Sequence, residues 1–190
     1  MRVRRVQQDA AMNILDVLQQ YGGGAEINTY DRPWVHPLWT DASGGSKGGG
    51  GWFQADSWHQ YKHTRGQRKA CIAWLEMYAV YMALLAKGEE WRGCVVPLLI
   101  DNLTCAHVLR RGRSRSKNLN DLLRKIMVVA MECDIVIHAY WIPTECNKLA
   151  DPLSRYDQEE FMRNRTSWRQ FSRDTLAYAR TLMPRWLTAR

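Results

Sequence analysis

One helix constrains the fold of this chain more than any other segment. From Ile72 to Ala86 the only charged residue is Glu76, and Trp74, Leu75, Met77, Val80, Leu84 and Leu85 leave no continuous polar face. A helix over 72–87 that is apolar on nearly every side must be buried, and a sheet is the partner that covers it. The stretch is short for a membrane span and carries an acid, so it reads as core. Glu76 itself is the anomaly. A carboxylate in an apolar interior costs several kcal/mol unless it is paired or protonated.

The neighbouring segments supply the sheet. Residues 35–41 read as a strand, and the glycine-rich run 42–51 reads as a flexible turn. Residues 52–55 and 57–61 are β-prone, which makes 35–62 a three-stranded meander. Residues 94–100 form a buried fourth strand, 103–109 a short helix and 110–117 a basic loop. Leu119, Leu122, Leu123, Ile126, Met127 and Ala130 then fall at helical spacing, with the helix ending near Asp134. Residues 135–142 are a fifth strand, and 148–156 begin another helix. This order predicts an α/β fold: a five-stranded mixed sheet, an antiparallel meander plus two parallel strands, with helices on both faces.

The flanks are distinct in character. Residues 6–21 have helical spacing and stop at Gly22-Gly23-Gly24, and 25–34 read as a connector. Residues 157–190 mix aromatic residues with arginines and read as a helical extension, packed on this domain or on a partner. The organisation is therefore 1–34, 35–156 and 157–190.

A formal charge of +8 and a pI near 9.4 favour an anionic partner, nucleic acid being the commonest, although a basic solubilising surface gives the same balance. The five cysteines are odd in number and contain no C-x-x-C pair. They read as reduced thiols in an intracellular compartment, whether nuclear, cytoplasmic or organellar. No continuous apolar stretch follows the basic start, so a secretory signal is not expected.

Three more acids adjoin apolar segments. Asp41 follows Pro37-Leu38-Trp39-Thr40, Asp101 ends the run Val95–Ile100, and Asp151 closes Asn147-Lys148-Leu149-Ala150-Asp151. Taken singly, each has a plain use: Asp41 in a turn, Asp101 at a helix cap, Asp151 against a helix dipole. Taken together, Asp41 and Asp101 end strands that emerge at one sheet edge if those strands are parallel neighbours. Four converging carboxylates repel one another and need positive charge between them. An all-oxygen set suits Mg²⁺ or Mn²⁺, and a pair of such ions suits phosphodiester hydrolysis.

The motifs Thr40-Asp41-Ala42-Ser43, Leu75-Glu76-x-x-Ala79, Ile100-Asp101-Asn102 and Asn147-x-x-Ala150-Asp151-x-Leu153-Ser154-Arg155 resemble, in this order, the ribonuclease H domain of retroelement reverse transcriptases. The wording is most similar to that of DIRS-like, tyrosine-recombinase retrotransposons, with Arg111-Gly112-Arg113-Ser114-Arg115-Ser116 as a further likeness. The resemblance spans residues 35–156. It implies a ribonuclease H fold that uses two divalent ions to hydrolyse the RNA strand of an RNA–DNA hybrid, leaving 5′-phosphate and 3′-hydroxyl ends. It implies that Asp41 bridges both ions, that Asp151 serves the water-activating side and that Glu76 and Asp101 serve the leaving-group side. Ser43 and Asn102 would touch the substrate backbone.

The chain departs from that pattern in two places. The loop Pro143-Thr144-Glu145-Cys146 lacks the histidine that cellular members carry, and His138 falls within a strand as a structural residue. The basic extra helix of cellular members is replaced by Arg110, Arg111, Arg113, Arg115 and Lys117, which read as phosphate-gripping or as a solvated charge run. Trp52, Trp58 and Trp141 read as packing residues. The competing function is a non-catalytic nucleic-acid-binding or structural subunit of a ribonucleoprotein, since no Tyr-x-Asp-Asp polymerase motif is present.

Overall fold

The computed structural model describes residues 32–46 and 48–182; the helix expected over 6–21 and its connector up to residue 31 lie outside these. Five strands form one sheet: β1 Leu38–Ala42, β2 Gly49–Gln54, β3 Ser57–Lys62, β4 Val95–Ile100 and β5 Val136–Trp141. Their order is β3-β2-β1-β4-β5, with β1–β2 and β2–β3 antiparallel and β1–β4 and β4–β5 parallel. The helices are α1 Ile72–Lys87, α2 Leu103–Arg111, α3 Lys117–Glu132, α4 Asp151–Arg155, α5 Gln158–Arg165 and α6 Trp168–Thr181. The mixed sheet and the helix order match the expectation.

Period-two alternation divides the sheet into two cores. Leu38, Trp52, Leu98 and Ile100 face Met77, Val80 and Leu84 of α1 and Leu122, Leu123 and Ile126 of α3. Trp39, Phe53, Leu99 and Tyr140 face Leu153 of α4, Phe161 of α5 and Trp168 of α6. The aromatic tail therefore packs on this domain: the Phe53 ring meets Phe161 and Trp168 edge-on at 6.0 and 6.1 Å, and Trp39 Nε1 donates to Ser172 Oγ at 3.2 Å.

Three local expectations are corrected. The first strand begins at Leu38, not at residue 35. Trp34 bridges to Val95 and Leu38 pairs with Leu98, so Val35-His36-Pro37 stand opposite only Val96-Pro97. Neither proline can donate to the ladder, and the extra residue is absorbed as a bulge. The expected turn over 42–51 is shorter, because Gly49, Gly50 and Gly51 belong to β2. Space, not flexibility, selects these glycines. A side chain at Gly51 would begin 2.6 Å from Leu153 Cβ of α4, and side chains at Gly49 and Gly50 would collide with Tyr156 and Tyr61. The basic loop over 110–117 is also shorter. Arg110 and Arg111 close α2, which ends at Gly112 in the left-handed conformation (φ 64°), and Lys117 opens α3.

Phe161 is fully buried between strand and helix aromatics. Phe161→Ala is expected to lower the unfolding free energy by about 3–5 kcal/mol, read from urea denaturation. An effect below about 1 kcal/mol would show that α5 contributes little to the core.

Candidate active site

The register of β1 on β4 places Thr40 opposite Ile100, so Asp41 and Asp101 leave adjacent parallel strands side by side. Helix α1 crosses this edge and brings Glu76 to it. Carboxylate oxygens of Asp41, Glu76 and Asp101 all lie within 4.8 Å of one another. Asp41 and Glu76 are each only 4% exposed, and Asp101 is half-buried. Asp151 opens α4 beside this group. Its Oδ1 accepts from Arg155 Nε at 2.7 Å, one helical turn on, and it stands outside the three-acid cluster.

Electrostatics follow from this crowding. Burial, then Asp101, pushes the Asp41 carboxyl up to about 7. Burial, then Asp41 and Asp101, holds Glu76 well above the usual carboxylate range, and burial raises Asp101 in the same direction, with Asp151 adding to it. Hydrogen bonds offset this only in part, with Ser154 acting on Asp41, the Ala42 backbone on Glu76 and Thr144 on Asp101. Glu76 Oε2 and Asp101 Oδ1 are buried without a partner, and Asn147 Nδ2 donates to Asp41 Oδ1 at a long 3.4 Å. Buried acceptors of this kind are rare, and crowded carboxylates are relieved either by protonation or by a cation between them. The all-oxygen set fits a hard divalent ion.

Other expected residues fall in varied places. Ser43 Oγ donates to the Ser154 carbonyl at 2.6 Å and accepts from Gly49 N at 3.2 Å, which ties α4 to the β1–β2 corner. Asn102 caps α2, accepting from Cys105 N at 3.1 Å. Arg110 is half-buried, with Nε donating to the Ala139 carbonyl at 2.7 Å, so it anchors α2 to β5. Lys117 pairs with Asp121 at 2.7 Å. Arg111, Arg113 and Arg115 are exposed beside a groove of about 620 Å³. Trp141 Nε1 donates to the Asp101 carbonyl at 3.0 Å, Trp52 is buried, and Trp58 lies against Phe161. His138 meets Trp34 edge-on within the sheet.

Sequence reasoning left two residues without a task. Asn147 is fully buried and donates to the Thr40 carbonyl at 3.2 Å, which fixes the last loop against β1. Arg155 neutralises Asp151. The i,i+4 spacing of Asp151 and Arg155 was the available signal for the second, whereas Asn147 lies ahead of α4 and finds its partners on β1.

No family model matches the sequence, and a search of curated proteins finds no similar one. Solved structures are similar in fold. An N-terminal RNase H domain from Mycobacterium tuberculosis is 17% identical, with a TM-score of 0.52 over 63% of this chain and 95% of that one. RNase H1 from Halobacterium salinarum is 16% identical, with a TM-score of 0.53 over 66% and 98%. LC11-RNase H1, isolated from compost and solved with an RNA/DNA hybrid, is 19% identical, with a TM-score of 0.50 over 63% and 94%. The chain therefore carries a domain of the ribonuclease H fold. Among the described residues, no helix is long and apolar enough to cross a membrane.

The raised carboxyls have a measurable consequence. Asp41 binds its proton more tightly when folded (about 7) than at its ordinary 3.8. Its contribution to stability is full below about pH 4 and is lost as pH rises through 7, on the order of 2–4 kcal/mol. In EDTA, Asp41→Asn is expected to raise the melting temperature above wild type at pH 8 and to leave it little changed at pH 4. Mn²⁺ should raise the wild-type value at pH 8 more than the variant's. Identical melting curves at pH 8 would mean that the acids do not repel.

Proposed function

We propose that this protein is a divalent-metal-dependent ribonuclease H that hydrolyses the RNA strand of RNA–DNA hybrids, of the type carried by DIRS-like retroelement reverse transcriptases. The observation that carries this reading is the convergence of Asp41, Glu76 and Asp101 at one edge of a ribonuclease H fold, with buried oxygens that lack partners. The motif wording around these acids, together with Asp151, supports the retroelement type.

Asp41, Glu76 and Asp101 would hold Mg²⁺ or Mn²⁺, with Asp151 completing a two-ion site. When bound, the ions supply Lewis-acid stabilisation of the charge that develops on the phosphodiester, and a more acidic attacking water. The protein's own residues do the rest. The β1–β4 pairing fixes the spacing of Asp41 and Asp101 before substrate arrives, so no reorganisation is needed during reaction. Asn147 orients Asp41. The exposed guanidiniums of Arg111, Arg113 and Arg115 present positive charge to a nucleic-acid backbone without competing for the acids. Asp151 enters from α4, where Arg155 holds it at the rim of the cluster.

One observation favours a second reading, a non-catalytic nucleic-acid-binding subunit. The Arg155 guanidinium already neutralises the fourth acid, so the cation demand of the site is reduced.

Purified protein with Mn²⁺ is expected to cut a labelled RNA–DNA hybrid in the RNA strand, leaving 5′-phosphate ends, and Asp41→Asn or Glu76→Gln should reduce this to background. A wild type that binds the hybrid but leaves it uncut over a range of Mn²⁺ and Mg²⁺ concentrations would establish the second reading instead.

A further inference from the structure

The basic loop between α2 and α3 has a pattern beyond its charge. In Arg111-Gly112-Arg113-Ser114-Arg115-Ser116, each serine follows one arginine by three positions and another by one. Serine kinases that select basic substrates read guanidiniums at such offsets with carboxylates of their own. A bidentate arginine–carboxylate pair fixes the register of an extended chain in the cleft. Among the described residues, four hydroxyls follow an arginine by three positions: Ser114, Ser116, Thr166 and Ser172. Their surroundings separate them.

Ser172 is buried, and its Oγ accepts from Trp39 within the second core, out of reach of another protein. Thr166 is exposed but helical (φ −60°, ψ −27°), and its Oγ1 donates to the Arg163 carbonyl at 2.8 Å. Ser114 is half-buried and pinned through its backbone. Its N–H donates to Asn120 Oδ1 and its carbonyl accepts from Asn120 Nδ2, both at 2.6 Å. Ser116 differs on each count. It is exposed, its backbone is extended (φ −77°, ψ 123°), and its Oγ accepts only a long 3.5 Å bond from Leu119 N. Arg113 and Arg115 are exposed too, and neither pairs with a carboxylate among the described residues. The left-handed Gly112 lies ahead of Arg113, and buried Leu119 anchors α3 three positions beyond Ser116. Residues 113–117 therefore extend into a cleft once the Ser116 N–H leaves Ser114 Oγ (3.1 Å) and the first residue of α3 opens.

We propose that Ser116 is a phosphorylation site for an arginine-directed serine kinase. Its Oγ attacks the γ-phosphorus of ATP and forms the new O–P bond. The bond from that phosphorus to the β-phosphate oxygen breaks, ADP leaves, and the hydroxyl proton passes to the base of the kinase. The product adds about two negative charges at pH 7, carried on three acceptor oxygens that pair with guanidiniums. Arg113 and Arg115 flank Ser116 in the chain and line the groove with Arg111, so modification cancels positive charge that the unmodified loop presents. The phosphate oxygens also keep an acceptor at the start of α3, so charge changes without loss of the cap. The consequence for hybrid binding rests on the nuclease reading; the acceptor site rests on the loop alone.

The test incubates the folded full-length protein with ATP, Mg²⁺ and the catalytic subunit of cAMP-dependent kinase, an arginine-directed probe, and locates phosphate by peptide mass spectrometry. Phosphate is expected at Ser116. Ser116→Asn, which keeps a capping oxygen but no hydroxyl, should remove it, and Arg113→Ala should slow it by about tenfold or more. In fluorescence anisotropy with an RNA–DNA hybrid in EDTA, the phosphorylated protein should bind about tenfold more weakly, with a salt-dependence slope smaller by about one to two. Phosphatase treatment should restore both, and unmodified Ser116→Asn should bind as wild type does. No incorporation into the folded protein, or incorporation at Ser114 or Thr166 in place of Ser116, overturns the site. Phosphate at Ser116 with unchanged hybrid affinity overturns the link to nucleic acid. A wild type that shows both effects but cuts nothing with Mn²⁺ removes the nuclease reading and leaves the site standing.

Discussion

The parallel pairing of β1 with β4 is the constraint on which the functional edge depends. Adjacent strands lie roughly 4.8 Å apart, so a register that sets Thr40 against Ile100 forces Asp41 and Asp101 into each other's field. That proximity opposes folding, and Glu76 adds to it from α1. The compensation comes from two aromatic and aliphatic cores, one on each face, which fix the sheet whether or not the acids are satisfied. The edge is therefore under electrostatic strain, which protonation of the acids relieves and which a divalent cation would relieve in the proposed reading.

Positive charge is distributed around this edge with little waste. Arg155 is spent on Asp151, Arg110 on the Ala139 carbonyl and Lys117 on Asp121, so these three cations near the site are structural. The exposed Arg111, Arg113 and Arg115 lie to one side, and Lys62 and Arg68 lie to another. Positive charge therefore flanks the acid edge on two sides. The net charge of +8 is thus less informative than its placement.

Much of the site was legible in the residues. Glu76 stood out because its helix has no other charge, and Asp41 and Asp101 stood out at the ends of apolar runs. Boundaries were less legible where a residue's role depends on a distant neighbour. The glycines at 49–51 look like a flexible turn until β3 and α4 are laid beside them, and the approach of Tyr61, Leu153 and Tyr156 explains why side chains do not fit. The start of β1 was misplaced because the missing N–H of Pro97 acts on a strand sixty residues away along the chain. Ser43 Oγ serves the β1–β2 corner and Asn102 Oδ1 the α2 cap, structural uses that depend on neighbours the local sequence does not show.

The sequence by itself determined the element order, the burial of one face of α1 and the singling out of Asp41, Glu76 and Asp101. These follow from local periodicity and from the energetic penalty on a charge in an apolar run, both of which are written in neighbouring residues. Only the tertiary structure decided that three acids converge while Asp151 pairs with Arg155, and that the aromatic tail completes the second core. Those outcomes depend on strand register and on helix packing across the sheet, where contacting residues are separated by dozens of positions and no local pattern records their distance.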